Sequence, residues 1–256
     1  MENLREKKQR GQRITALTAY DYPTARLLDE TGIDIILVGD SLGMVVLGYE
    51  DTTEVTLAEM LHHTRAVARG VKRAMLVADL PIHTYDTAEE ALANARQLVA
   101  AGAQAVKLEG GVNRAAQIEA IVAAGIPVMG HIGMLPQSVR EEGGYKLKGR
   151  TPAEAETLLR DAGAVQGAGA FAVVLEIVAA ETARQITEAV QIPTIGIGSG
   201  QSCDGEILVT HDLIGLFPWF TPKFVRPEAD VAAEIRKAAV AFIERTAAQS
   251  RLTAKV

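Results

Sequence analysis

Short apolar runs recur along the chain, and five of them finish on an ionisable side chain. Ile33–Gly39 leads into Asp40-Ser41, Ala74–Ala78 into Asp79, and Ala103–Val106 into Lys107-Leu108-Glu109. Ile126–Gly130 ends on His131 and Phe171–Leu175 on Glu176. A parallel strand covered on both faces reads as a near-continuous Val/Ile/Leu run. The pattern predicts strands at Ile14–Ala19, Ile35–Val38, Ala74–Ala78, Ala105–Leu108, Pro127–Gly130, Phe171–Leu175, Thr194–Ile197 and Ile207–Val209. Helical periodicity lies between them at Pro23–Glu30, Leu57–Arg69, Ala88–Ala100, Arg114–Ala123, Ala153–Gly167 and Ala180–Val190, and a last helix is expected from Pro227 to about Thr246. Thr151-Pro152 before one helix, and Gly102 and Gly125 after others, punctuate the boundaries.

Eight strands alternating with helices, without a Pro/Ser-rich linker, predict one domain over 1–256. It is an α/β chain folded as a closed (β/α)8 TIM barrel with short N- and C-terminal helical extensions. An open doubly wound sheet would gather its site at a single switch point. Here ionisable residues end at least five strands, and the C-terminal strand ends of a barrel carry its chemistry. Strand eight is short, and no helix after it is evident. The long connections Gly39–Thr56 and Ile132–Arg150 are expected to line or cover the site.

Composition narrows the function classes. The 256 residues are 48% hydrophobic, ample for a core, and the 26 basic and 32 acidic residues give a net charge of −6. Nothing in that balance calls for a nucleic-acid partner. The single Cys203 fits a reducing cytoplasm. The charged N-terminal stretch lacks the apolar segment of a signal peptide, and no run reaches the ~20 apolar residues that span a bilayer. A cytoplasmic enzyme is expected, with the basic N-terminal cluster as a solvated helix face.

Asp40, Asp79 and Glu109 form an oxygen-only set that suits a hard cation such as Mg2+; singly, each could instead cap the helix after its strand. Lys107 and Glu109 lie two apart and so share one face of their strand. A lysine aimed into a barrel must meet an anion, either a substrate carboxylate or enolate, or Glu109 or Asp79 as an internal salt bridge. His131 could donate to substrate or satisfy a loop carbonyl. Glu176 ends a strongly apolar run, where burial would make it a better general base; capping, or pairing with Arg184, is the alternative. His62-His63 read as surface or packing residues. Gly196-Ile197-Gly198-Ser199-Gly200-Gln201 fails the dinucleotide fingerprint, since Gln201 stands where the third glycine belongs. It could admit a ligand close to the backbone or serve tight packing.

Several stretches together resemble the ketopantoate hydroxymethyltransferase family. They are Thr18-Ala19-Tyr20-Asp21-Tyr22-Pro23, Leu37-Val38-Gly39-Asp40-Ser41-Leu42-Gly43-Met44 and Val106-Lys107-Leu108-Glu109-Gly110-Gly111. Gly130-His131-Ile132-Gly133, Pro136-Gln137-Ser138, Gly143-Gly144-Tyr145-Lys146, Val174-Leu175-Glu176 and Thr221-Pro222-Lys223-Phe224 continue the match. The resemblance implies a barrel of the phosphoenolpyruvate/pyruvate-binding type. It also implies hydroxymethyl transfer from 5,10-methylenetetrahydrofolate to 3-methyl-2-oxobutanoate through a Mg-chelated enolate, giving 2-dehydropantoate for pantothenate synthesis. Asp40, Asp79 and Glu109 fall on the family's metal positions. Asp40, Ser41, Asp79 and Lys107 fall on its keto-acid positions, with His131 near the substrate and Glu176 as proton acceptor. A homo-oligomer, a decamer of two pentameric rings, is implied as well. Departures include Leu80-Pro81-Ile82-His83-Thr84-Tyr85, Ser199 in place of the usual alanine, and the stretch from Asp161 to Gly167. The competing readings are a metal-dependent carbon–carbon lyase or mutase of the same superfamily, and a non-catalytic barrel that binds a keto acid.

Overall fold

A computed structural model of the chain describes residues 4–253. The chain divides into two compact units, Met1–Leu208 and Val209–Val256. All eight strands lie in the first: β1 Ile14–Thr18, β2 Ile35–Val38, β3 Met75–Asp79, β4 Ala105–Glu109, β5 Val128–Gly133, β6 Ala172–Glu176, β7 Thr194–Ile197 and β8 Gly205–Leu208. They pair in parallel in chain order, and β1 closes on β8, so the expected closed barrel is borne out. The helices of this unit are α1 Leu4–Gln9, α2 Tyr22–Glu30, α3 Leu57–Gly70, α4 Ala88–Ala100, α5 Ala115–Ala123, α6 Val139–Glu142, α7 Pro152–Gly167 and α8 Ala180–Ala189. The second unit holds α9 Thr210–Leu213 and α10 Val231–Thr253, with Leu213, Ile214 and Gly215 accepting main-chain bonds from Glu228, Val231 and Ala232.

Capping chemistry sets the helix entries. Asp21, Thr56, Thr87 and Thr151 each accept a main-chain N–H of the first turn, and Thr56 with Glu59 forms a reciprocal capping box. None of the strand-end acids is spent on such a cap.

Two apolar layers follow from strand alternation. Outward-facing residues such as Ile36, Val38, Val106, Leu108, Val173 and Leu175 pack with Met60, Leu98, Ile118 and Ile186 of the helices. Inward-facing Ile14, Ile35, Leu37, Val77, Ala105, Met129, Ala172, Val174, Ile195 and Ile207 fill the lumen, joined by Leu4 of α1. Along β4 the inward residues change from Ala105 to Lys107 and Glu109, so the lumen is apolar below and ionisable at its C-terminal mouth.

Two expectations need correction. The basic N-terminal cluster is a solvated face only in part: Arg5 and Arg10 are exposed, but Lys8 Nζ donates to the carbonyls of Thr187 (2.9 Å) and Ile192 (3.1 Å) and pairs with Asp204 at 2.9 Å. Lys7 pairs with Asp34 at 2.5 Å, so α1 is clamped to the barrel floor. Strand β5 also runs three residues beyond Gly130, placing His131 within the sheet, where it pairs with Glu109 and Val174.

Closure rests on a narrow seam. Gly205 pairs with both Ile14 and Ile195, and a Cβ there would stand 2.5 Å from the Ile14 carbonyl oxygen and 2.9 Å from Ile195 Cδ1. Forcing a methyl group into that seam costs about 1–3 kcal/mol. Gly205→Ala is therefore expected to lower the urea unfolding midpoint accordingly; an unchanged midpoint would show that the seam yields freely.

Candidate active site

Asp40, Asp79, Lys107, Glu109, His131 and Glu176 join one network at the barrel mouth. Asp79, ending β3, accepts the main-chain N–H of Asp40 at 3.0 Å and receives Lys107 Nζ at 2.8 Å. Lys107 thus forms its internal pair with Asp79 rather than with Glu109, and all three are buried. His131 lies between two carboxylates, with Nδ1 3.4 Å from Glu109 Oε1 and Nε2 3.2 Å from Glu176 Oε2. Glu176 does not pair with Arg184, which is held by Glu181 and Glu188 on α8. Its side chain is 13% exposed, on the open side of the network. Ser41, beside Asp40, shares a 2.8 Å hydrogen bond with the Tyr20 hydroxyl. His63 approaches the Tyr20 carbonyl with Nδ1 at 2.6 Å, the packing role expected of it, while His62 is exposed.

Four participants carried no role in the sequence reading. Tyr20, Tyr85 and Gln137 are buried polar groups whose partners lie far away in the chain, so no local spacing marks them. Gln137 donates from its side chain to Asp40 Oδ2 (2.7 Å) and from its main chain to Glu109 Oε2 (3.1 Å). Ser199 stood out as a departure from the family pattern. Its hydroxyl donates to the Leu175 carbonyl (2.7 Å) and accepts from Val178 N–H (2.9 Å), stapling the turn that follows Glu176.

That turn is strained. Ile177 has φ 48°, the left-handed region that a β-branched residue enters at a cost of about 1–3 kcal/mol. Main-chain bonds from Ile177 to Ile197 (2.8 Å) and from Lys148 to Ile177 (2.9 Å) hold it. Gly133 is required alongside: at φ 102°, a Cβ would lie 2.4 Å from the Glu176 carbonyl oxygen. The glycines here serve close packing: a Cβ on Gly196, within β7, would meet buried Cys203, and one on Gly200, in the loop after it, would meet Ala180.

Comparison with known proteins bears on this geometry directly. The family model for ketopantoate hydroxymethyltransferase matches residues 1–250. The chain belongs to that family. A relative named 3-methyl-2-oxobutanoate hydroxymethyltransferase, from Acetivibrio thermocellus, is 54% identical over 241 residues, 93% of this chain and 85% of its own. The fold is shared with 2,3-dimethylmalate lyase, a member of the PEP mutase/isocitrate lyase superfamily (TM-score 0.64, 19% identity, 94% of this chain and 86% of that one). It is also shared with a phosphonopyruvate hydrolase complexed with oxalate and Mg++ (TM-score 0.62, 17% identity, 82% and 80%). At such identities the likeness extends to the fold alone. The lyase or mutase alternative rests on nothing further, and the hydroxymethyltransferase expectation is borne out by the family match.

The electrostatics of a ketopantoate hydroxymethyltransferase mouth follow from crowding. Burial, then the charges of Asp79 and Glu109, push the Asp40 carboxyl well above its ordinary range, against the pull of Lys107 and the Gln137 donor. Burial alone would lower the Lys107 ammonium, but Asp79, Glu109 and Asp40 hold it raised and charged. Glu109 is desolvated too, yet His131 and Lys107 keep its carboxyl below the usual range. Asp79 Oδ1 and Glu109 Oε1 are buried, each facing a single cationic group, Lys107 Nζ at 2.8 Å and His131 Nδ1 at 3.4 Å.

Among the described residues no three acid, histidine or cysteine side chains enclose one point as a complete cage. Mg2+ needs none, because it keeps several waters and takes one or two carboxylates. A crowded, oxygen-only set of carboxylates therefore fits such an ion. A separate cleft of about 390 Å3 is lined by Gly133, Lys148, Glu154 and Asp161. Its polar groups are engaged: Lys148 with Glu142, Glu154 with the Arg150 N–H and Asp161 with the Val112 N–H.

Burial works against the His131 charge, but Glu109 and Glu176 raise its pKa from 6.5 to about 9. A raised histidine contributes stability that is complete below its unfolded value and is lost as pH rises through its folded value. In the metal-free protein, up to about 3 kcal/mol of urea stability should thus disappear between pH 6.5 and about 9. His131→Gln should flatten that profile, and an unchanged slope in the variant would reject the assignment.

Proposed function

We propose that the protein transfers a hydroxymethyl group from 5,10-methylenetetrahydrofolate to 3-methyl-2-oxobutanoate, giving 2-dehydropantoate, at the mouth formed by β2 to β6. The observation that carries this reading is the single network joining three acids, a lysine, a histidine and a half-open carboxylate, in a chain of this family. Asp40, Asp79 and Glu109 would hold Mg2+, which when bound supplies Lewis-acid polarisation of a 2-oxo acid.

The remaining work belongs to the chain's own side chains. Glu176 takes the proton from C3 of the keto acid, a role worth about 10²–10⁴-fold in rate. The electron pair moves toward the 2-oxo oxygen, and the buried ammonium of Lys107 offsets the developing negative charge without reorganising. His131, 3.2 Å from Glu176, orients the carboxylate that receives the proton. Ser41, aligned by Tyr20, offers a hydroxyl to the keto-acid carboxylate. The folate methylene carbon loses both of its carbon–nitrogen bonds as it gains a bond to the C3 carbanion and a hydroxyl oxygen from water. The two folate nitrogens take up the C3 proton held by Glu176 and one proton of that water.

A cytoplasmic homo-oligomer, a decamer of two pentameric rings, accompanies this reading. Trp219 and Phe220, and Ile235, Val240, Phe242 and Ile243 on α10, are exposed apolar residues suited to subunit contacts. Among the described residues no helix is long and apolar enough to cross a membrane.

Two variants test the roles. Asp79→Asn should abolish Mg2+-dependent formation of 2-dehydropantoate while the far-ultraviolet spectrum stays native; full activity would remove this metal assignment. Glu176→Gln should slow deuterium exchange at C3 by at least 100-fold when the keto acid is present without folate, a loss within the range of a general base. Exchange at the normal rate with turnover lost would move Glu176 to the folate half of the reaction.

A further inference from the structure

We infer that Gln137 is a positioning residue that sets the separation and orientation of Asp40 and Glu109 for a divalent cation. The inference rests on the reading above that these acids hold the ion. Gln137 lies in the short turn Pro136–Ser138 after β5 and is 4% exposed. Its Nε2 donates to Asp40 Oδ2 at 2.7 Å and to the Leu80 carbonyl at 3.0 Å. Its main-chain N–H donates to Glu109 Oε2 at 3.1 Å. One residue thus grips acids from two strands, one oxygen of each.

The orientation of the amide follows from its partners. A carboxylate and a carbonyl only accept, so the end of Gln137 facing Asp40 and Leu80 must be the NH2 group. The opposite end, Oε1, accepts the hydroxyl hydrogen of Tyr85. Tyr85 is itself buried, with the Arg114 guanidinium 4.9 Å above its ring and Arg114 donating to its carbonyl at 3.3 Å. The amide therefore cannot turn over without leaving a buried hydroxyl and a buried carboxylate oxygen unpaired.

The chemistry also explains why this position takes an amide. A carboxylate at residue 137 would press another negative charge against Asp40, already crowded by Asp79 and Glu109. An apolar side chain would leave Asp40 Oδ2 without its donor. Because Gln137 occupies Asp40 Oδ2 and Glu109 Oε2, it leaves Glu109 Oε1 buried and faced by His131 Nδ1 at 3.4 Å. Outer-shell partners of this type are worth about 10–100-fold in metal affinity.

The test is binding of Mn2+ alone, without keto acid or folate, followed by the electron paramagnetic resonance of the free ion. Gln137→Met keeps the length of the side chain and removes its donors; the expected result is about 10–100-fold weaker Mn2+ binding. Tyr85→Phe, which leaves Gln137 in place but frees its amide to turn, should weaken Mn2+ binding in the same direction and by less. Should Gln137→Met fail to fold, Tyr85→Phe decides. Variants that bind Mn2+ within twofold of the wild type, even if their unfolding midpoints fall, would overturn the inference, as would a wild-type protein that binds no Mn2+. Normal Mn2+ binding by the wild type with a weakened Gln137→Met, but no hydroxymethyl transfer, would overturn the function proposed above and uphold this assignment.

Discussion

Mutual repulsion among Asp40, Asp79 and Glu109 is the constraint to which the rest of the barrel mouth answers. Two like charges 4 Å apart repel by about 4 kcal/mol even at an effective dielectric constant near 20. Three buried together would not persist without compensation. Lys107 and His131 supply positive charge from β4 and β5, while the Asp40 N–H and Gln137 supply hydrogen bonds. Each compensating group is itself too polar to be buried without these acids. The acids and their partners therefore stand or fall together, and a cation joining them would relieve the repulsion that remains.

A second tension sits on β6. Glu176 must project over the lumen from the last position of its strand, and the chain must then turn sharply. Ile177 bears that turn in a left-handed conformation, Gly133 yields space beneath it, and Ser199 fastens both sides. The strain is stored beside the carboxylate proposed above to take the proton, where loss of precision would cost most in rate. Lys148 reaches the same turn from the β5–α7 connection, exchanging main-chain hydrogen bonds with Ile177 and Ala179 just after Glu176.

Much of this was legible in the residues. Apolar runs buried on two faces announce themselves, and the two-residue spacing of Lys107 and Glu109 fixed their common face before any coordinates. The ends were less legible. His131 looked like a terminus because glycine at 130 and 133 dilutes the apolar signal, yet β5 continues through it by pairing with β4 and β6. Lys7 and Lys8 looked like solvated charge because their acceptors, Asp34, Asp204 and two carbonyls of the α8–β7 region, are distant in the chain. Gln137 and Tyr85 were silent for the same reason. A neutral residue that works by joining elements leaves no periodicity behind.

The clamped floor has a consequence for traffic. With Leu4 packed beneath the inward apolar layer and Lys8 fastening α1 to the β7–β8 side, the lumen is filled and closed below among the described residues. The polar mouth is the end that faces substrates in the reaction proposed above. In that two-substrate reaction, the small keto acid would meet the acids and Lys107 at the mouth and the bulky folate would lie above it. Such a stacking would impose a compulsory sequence. The molecule that enters first leaves last, and a folate bound early would act as a stopper that keeps its co-substrate out.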